Sequence, residues 1–199
     1  MTYPLIHTMP QMSDAWFDVK RGKISASHLA QVKCCGKGRG DYMKKLIYER
    51  IHNITVHGVC TTDMKIGVDR EDDARRLYEW TTGTEVQQVG FIQVSNYLGC
   101  SPDGLVGEPG MLEIKCPKKT THERTLSKKK LPSVYKPQVQ GQLWIADREW
   151  CDFVSYCPEM EEEKDEIIII RVDKDEKYVK MLKAATEQFI IELKEKMGV

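Results

Sequence analysis

Two acids and one amine, Asp103, Glu113 and Lys115, stand at a spacing that can grip a divalent metal and aim a water at a phosphodiester. Asp103 lies in Ser101-Pro102-Asp103-Gly104, where proline and glycine favour a turn. Glu113 and Lys115 lie in Met111-Leu112-Glu113-Ile114-Lys115-Cys116, which alternates like a strand. Residues two apart in a strand project to the same face. Glu113 and Lys115 therefore point together, while Leu112, Ile114 and Cys116 face a core. The stretch from Gly104 to Gly110, with Pro109, lets the chain fold back so that the Asp and Glu strands form a hairpin. Mg2+ takes hard oxygen ligands in octahedral geometry and keeps several waters. The carboxylates of Asp103 and Glu113 and the carbonyl of Ile114 are suitable donors, and Lys115 can meet the attacking water or the charge that develops on the phosphate. The competing reading is a surface cross-strand pair of Glu113 and Lys115, with Asp103 only shaping a turn. An acid followed at a distance by Glu-x-Lys is weak by itself; the Ser-Pro-Asp-Gly lead and the following Cys116-Pro117 make the pattern specific.

The elements that must hold these residues are legible in outline. Ser13 predicts a helix cap, with the helix running through about Lys20 to Gly22. Ser25 or Ser27 can cap a second, through about Cys34. Gly36-Lys37-Gly38-Arg39-Gly40 reads as a flexible basic loop. From Asp41, Met43, Leu46, Ile47, Ile51 and Ile54 recur at helical spacing. Residues 65–81 predict another helix, with Ala74, Leu77, Tyr78 and Trp80 as its apolar positions and Gly83 as its stop. Glu85 to Ser95 then reads as a strand, before a turn at Asn96 to Gly99. Residues 118–132 lack periodicity and predict a mobile basic loop. Pro137 opens a helix through Val139, Leu143, Trp144 and Ile145. Trp150 to Cys157 and Ile167 to Val172 predict strands, and Ile167 to Ile170, apolar on both faces, predicts a central position. Asp173 with Glu176 reads as a capping box before a last helix carrying Tyr178, Met181, Leu182, Ala185, Phe189, Leu193 and Met197. The order implies an α/β fold, a mixed central sheet flanked by helices on both faces, in one domain of residues 1–199.

Composition narrows the classes. The chain has 199 residues, 41% hydrophobic and 30% charged, which suits a globular domain. No apolar run is long enough to span a membrane, and the N-terminus lacks the charged start and apolar core of a secretory leader. The seven cysteines are odd in number and form no Cys-x-x-Cys pair, as expected of a reduced chain. The net charge of zero hides segregation. Lys and Arg outnumber Asp and Glu by 9 to 4 in residues 1–60 and by 8 to 3 in residues 117–150. The balance reverses, 5 to 10 and 8 to 13, in residues 61–116 and 151–199. A basic face of this kind suits phosphate binding, which is a local electrostatic event; ordinary solvated surfaces are the alternative. The five histidines have no zinc spacing, Cys151 and Cys157 no iron–sulfur spacing, and the glycine-rich segment is no P-loop.

Ser101-Pro102-Asp103-Gly104 with Leu112-Glu113-Ile114-Lys115-Cys116-Pro117 resembles the PD-(D/E)XK nuclease superfamily, and more closely the phage lambda exonuclease or YqaJ-type viral recombinase family. Three further segments resemble that family in order. They are Trp16 to Ser27, Gly67 to Gly83 with Glu71-Asp72-Asp73-Ala74-Arg75, and Tyr135-Lys136-Pro137-Gln138-Val139-Gln140. The resemblance implies a restriction-endonuclease-like core. It implies that Glu71 is a helix carboxylate joining the metal site, and that Gln138 contacts the scissile or terminal phosphate and helps hold the water. Taken alone, Glu71 is a solvated charge in an acidic run. Ser27 and Ser101 would form a 5′-phosphate pocket with a cation; Ser27 can equally be a helix cap. The family's pocket arginine aligns with Lys20, and Arg21 is displaced by one, so the identity of that cation is open. Segment 118–130, with Lys118, Lys119, His122 and Arg124, would lie on DNA.

The implied function is a Mg2+-dependent 5′→3′ double-strand DNA exonuclease of phage or prophage origin, acting in the bacterial cytoplasm. It would use two Mg2+ ions, for which Mn2+ is a candidate substitute. It would leave 3′ single strands for recombination. The implied partners are duplex DNA ends, two further copies in a trimeric ring, and a single-strand annealing protein. Alternatives are an endonuclease on the same scaffold and a catalytically silent DNA-binding module.

Overall fold

A computed structural model describes residues 4–58 and 61–199. Its elements run β1 (Leu5–His7), α1 (Asp14–Lys20), β2 (Ile24–Ser25), a 3-10 turn (Ala26–His28), α2 (Leu29–Lys33), α3 (Lys37–His52), α4 (Thr62–Thr82), β3 (Phe91–Ser95), β4 (Leu98–Cys100), β5 (Gly104–Val106), β6 (Gly110–Lys115), α5 (Lys119–Lys128), α6 (Lys136–Ile145), β7 (Trp150–Tyr156), a second 3-10 turn (Glu163–Asp165), β8 (Ile167–Asp173) and α7 (Glu176–Met197). The strands form two four-stranded mixed sheets, ordered β1-β3-β4-β2 and β5-β6-β7-β8. β5 and β6 pair as the expected antiparallel hairpin, with Gly104 opposite Leu112 and a turn that needs Gly107 at φ +54°. β6 then runs parallel to β7, with Glu113 opposite Phe153.

Helices cover both faces of the second sheet. Leu112 and Ile114 of β6 and Val154 of β7 pack with Ala74 and Tyr78 of α4. Met111, Cys151 and Phe153, on the other face, join a larger core with Val139 and Leu143 of α6 and Leu182 and Phe189 of α7. Alternation along β6 thus sorts side chains between two buried layers, and Glu113 falls on the α6 side. No helix is long and apolar enough to cross a membrane. Cys34, Cys35, Cys100, Cys116, Cys151 and Cys157 are free thiols, and Cys60 lies outside the described residues.

Several local expectations are corrected by tertiary contacts. The glycine-rich basic segment is helical from Lys37. Arg39 makes a bidentate pair with Glu192 of α7 (2.7 and 2.9 Å) and lies 4.9 Å from the Phe189 ring centre, which offsets the weak helix propensity of Gly38 and Gly40. α3 ends at His52, followed by Asn53 at φ 52°, and leaves Ile51 and Ile54 exposed. The expected loop at 118–132 contains α5. β8 is an edge strand, not a central one. Its isoleucines are apolar on both faces because Ile167 and Ile169 pack towards α4 while Ile170 packs towards the larger core. Asp175, not Asp173, caps α7, accepting from Tyr178 N at 2.9 Å. Only Phe91–Ser95 of the segment from Glu85 is a continuous strand, and Trp80 is 87% exposed on α4.

Candidate active site

β6 delivers Glu113 and Lys115 to one wall of a cavity of about 720 Å3. α4 brings Glu71, α6 brings Gln138, and the turn before β5 brings Asp103. Lys20, Ser27 and Ser101 line the same cavity. Eight of the expected side chains, drawn from residues 20 to 138, therefore meet in one place.

The hydrogen bonds fix how they meet. The Ile114 backbone N–H donates to Asp103 Oδ2 at 2.6 Å, which locks the aspartate across the hairpin. Glu113 is 1% exposed. Its Oε1 accepts from the Gln138 amide and lies 2.5 Å from Lys115 Nζ. Its Oε2 accepts from Gln142 Nε2 at 2.7 Å. Lys115 also donates to the Ile114 carbonyl at 3.1 Å.

Like charges are crowded here. Burial, then the Glu113 carboxylate, push Asp103 well above the usual carboxylate range, against the opposing Lys115. Burial also raises Glu71, with Lys115 opposing and Glu113 adding to the rise. Burial works against the Lys115 charge, but Glu113 and Asp103 outweigh it and hold that ammonium above its usual range.

Among the described residues no three His, Cys, Asp or Glu side chains are grouped as a metal's ligand set. The donor chemistry does fit a divalent cation. The Lys115 ammonium rests on Glu113 and on the Ile114 carbonyl, two of the four expected oxygen ligands, and Asp103 Oδ2 is tied to the N–H of that same Ile114. Oxygens that draw in one cation, beside further carboxylates short of positive charge, suit a second, harder cation.

Of the two candidate cations for a terminal phosphate, the structure places Lys20 in this cavity. Arg21 is turned away, paired with Asp18 and donating to Asn53 (2.9 Å) and Thr55 (3.1 Å). Lys20 Nζ lies 4.0 Å from the centre of the Trp16 ring. Burial, then Lys45, lower Lys20 to about 8. Ser25, not Ser27, precedes the 3-10 turn; Ser27 Oγ is 3.2 Å from Ser25 Oγ and 3.1 Å from His28 Nδ1.

His122 is not a DNA contact in this fold. It is fully buried, with Nδ1 2.8 Å from Ser155 Oγ and Nε2 2.7 Å from the Asp165 carbonyl, and it pins α5 to β7. Lys119 pairs with Glu161 (3.2 Å), and Lys118 and Arg124 are exposed outside the cavity. Gln142 is the site residue that sequence reasoning overlooked. The available signal was its place four residues after Gln138, hence on the same helix face. Arg75, one turn beyond Glu71, also lines the cavity and pairs with Asp72 at 2.5 Å.

Residues 15–149 match the family described as the YqaJ-like viral recombinase domain. An alkaline exonuclease from Laribacter hongkongensis superposes with a TM-score of 0.87 and 32% identity, over 94% of this chain and 95% of that one. The same exonuclease in complex with dAMP superposes at 0.88, with the same identity and coverage. A phage-related exonuclease from Haemophilus somnus 129PT shares the fold at 0.66 and 12% identity, over 91% of this chain and 99% of that one. Among curated proteins, none matches.

Proposed function

This chain belongs to the YqaJ-like viral recombinase domain family, and from that premise we propose that it is a Mg2+-dependent 5′→3′ double-strand DNA exonuclease that leaves 3′ overhangs for phage-type recombination. The likeness to an alkaline exonuclease along nearly the whole chain supports nuclease chemistry. The observation that carries the reading is the meeting of Asp103, Glu113 and Lys115 with Lys20, Ser27 and Ser101 in one cavity. Hydrolytic residues and a phosphate-binding cation within one space suit cutting close to an end.

A bound divalent cation supplies Lewis acidity and neutralises charge at the reacting phosphate. Asp103, Glu113 and the Ile114 carbonyl would hold it, with Glu71 beside them. Lys115 has three N–H donors; two serve Glu113 and the Ile114 carbonyl, and the third is available to orient the incoming water and to meet charge on the phosphate oxygens. Gln138 fixes one Glu113 oxygen and stands at the cavity wall where the same phosphate lies. Lys20, with the hydroxyls of Ser27 and Ser101, receives the terminal 5′-phosphate. A lysine offers one ammonium where arginine offers a two-pronged fork, so this contact is a point charge. Exposed Lys118 and Arg124 are placed to follow the duplex backbone. The protein works in the host cytoplasm as one domain, in a ring of three copies, beside a single-strand annealing protein.

The test is digestion of labelled linear duplex with Mg2+, comparing 5′-phosphate with 5′-hydroxyl ends, and a covalently closed circle. Rapid release of mononucleotides from the phosphorylated 5′ end is expected. Degradation of the circle would replace this reading with an endonuclease, and binding without hydrolysis in any divalent metal would leave a DNA-binding module. Light scattering reports whether three copies assemble.

A further inference from the structure

Gln142 has no part in the roles just assigned. It is 1% exposed and lies one turn beyond Gln138 on α6. Its Nε2 donates to Glu113 Oε2 at 2.7 Å and reaches the Ser101 carbonyl at 3.3 Å. Its Oε1 is buried with no hydrogen-bond partner among the described residues. Turning the amide over would set that oxygen against a carboxylate and a carbonyl, both acceptors. The side chain therefore keeps its two donor contacts and leaves an acceptor open, which is costly for a buried group and calls for a reason.

The contacts continue beyond Ser101. Ser101 Oγ accepts from Trp16 Nε1 at 3.0 Å, and the same indole N–H donates to the Gly90 carbonyl at 3.0 Å. The Lys20 ammonium sits over that indole. An unbroken line runs from Lys20 through Trp16, Ser101 and Gln142 to Glu113, along the wall of one cavity.

We propose that Gln142 is a positioning residue that ties the metal-binding carboxylate to the terminal-phosphate pocket and so sets the length of each cut. The inference rests on the exonuclease reading. Gln138 holds one oxygen of Glu113 and Gln142 the other, so the plane of the carboxylate is fixed. The bond to the Ser101 carbonyl fixes that plane relative to the residue whose hydroxyl faces the phosphate. A phosphate seated by Lys20, Ser27 and Ser101 then presents the same phosphodiester to Glu113 at every turnover. Without the tie, carboxylate and pocket shift independently.

Gln142→Met keeps the side-chain length and removes the donor. Its kcat on 5′-phosphorylated duplex should fall about 10- to 100-fold, the loss of one hydrogen bond to a charged group, with KM for ends little changed. Dinucleotides should appear beside mononucleotides, and calorimetry should show weaker Ca2+ binding. Product length identical to wild type overturns the inference, whatever the rate. Should Gln142→Met lose its thermal transition, Trp16→Phe, which removes the indole N–H at the other end of the tie, is read by the same product lengths. Wild-type protein that yields no mononucleotides, or ignores the 5′-phosphate, sinks the exonuclease reading instead; wild type that does both, matched by the variant, sinks the tie alone.

Discussion

Two buried acids sit on neighbouring strands of one sheet, on opposite faces, and they do opposite things. Asp152 of β7 is 3% exposed and fully answered within the chain. Tyr78 donates to it at 2.7 Å, Arg171 donates through two nitrogens at 2.5 and 3.0 Å, and the Arg171 guanidinium lies 3.5 Å from the Trp150 ring centre. Glu113 of β6 is equally buried, yet its neighbourhood holds Asp103 and Glu71 and opens on a cavity. Burial of an acid is therefore no mark of function. The mark is burial among like charges beside open space, an arrangement that favours an outside cation. Asp152 is answered by partners away from the cavity, while Glu113, held by Lys115, Gln138 and Gln142, borders that cavity beside two further acids.

The comparison predicts which substitutions cost rate and which cost stability. The largest effect is expected at the open site. Lys115→Ala or Glu113→Gln should lower kcat about 100-fold or more, the usual consequence of removing a preorganised group, and for Glu113→Gln, which removes one of the crowded negative charges, the melting temperature should be nearly held. A parallel fall in both would break the distinction. Asp152→Ala should do the reverse, lowering the free energy of unfolding by about 2–3 kcal/mol while activity per folded molecule persists; denaturant titration beside an assay checks it. Tyr78→Phe removes one of Asp152's partners and should cost about 1 kcal/mol in the same titration.

The smallest effect concerns the other end of the cavity, where cations rather than acids are crowded. Lys20 faces Lys45 and Glu49 of α3, and His28 stands close enough for burial, then Lys20 and Lys45, to lower it to about 4. The folded chain releases the Lys20 proton near pH 8, whereas the unfolded chain holds it to its ordinary value of 10.5. The unfolded state thus binds more protons between those limits, and the Lys20 contribution to stability rises with pH across them. Lys20→Met should raise the melting temperature at pH 7, and the gain should shrink as pH climbs above 8. A gain that stays constant to pH 10 would show that no such strain exists.

Which parts of the molecule were legible beforehand follows from the range of the forces involved. The Asp103 hairpin, the shared direction of Glu113 and Lys115, the Ser13 cap and the Pro137 helix start depend on strand period, turn residues and capping, all set by near neighbours. These could be read along the chain, and the family motifs added Glu71 and Gln138. The glycine-rich start of α3 could not, because Arg39 is answered by Glu192, 153 positions away. Nor could the burial of His122, whose partners lie 33 and 43 positions on. Which of Lys20 and Arg21 lines the cavity could not be read either, because Asn53 and Thr55 capture the arginine.

By itself, then, the order of residues determined that an acid pair and an ammonium would share one strand-and-turn unit, since alternation and turn chemistry are local. Only the tertiary structure decided that Gln142 would hold Glu113 and that Asp152 would be sealed off from the cavity. Those outcomes depend on which helix covers which face of the sheet, and that is settled by packing between elements far apart in the chain.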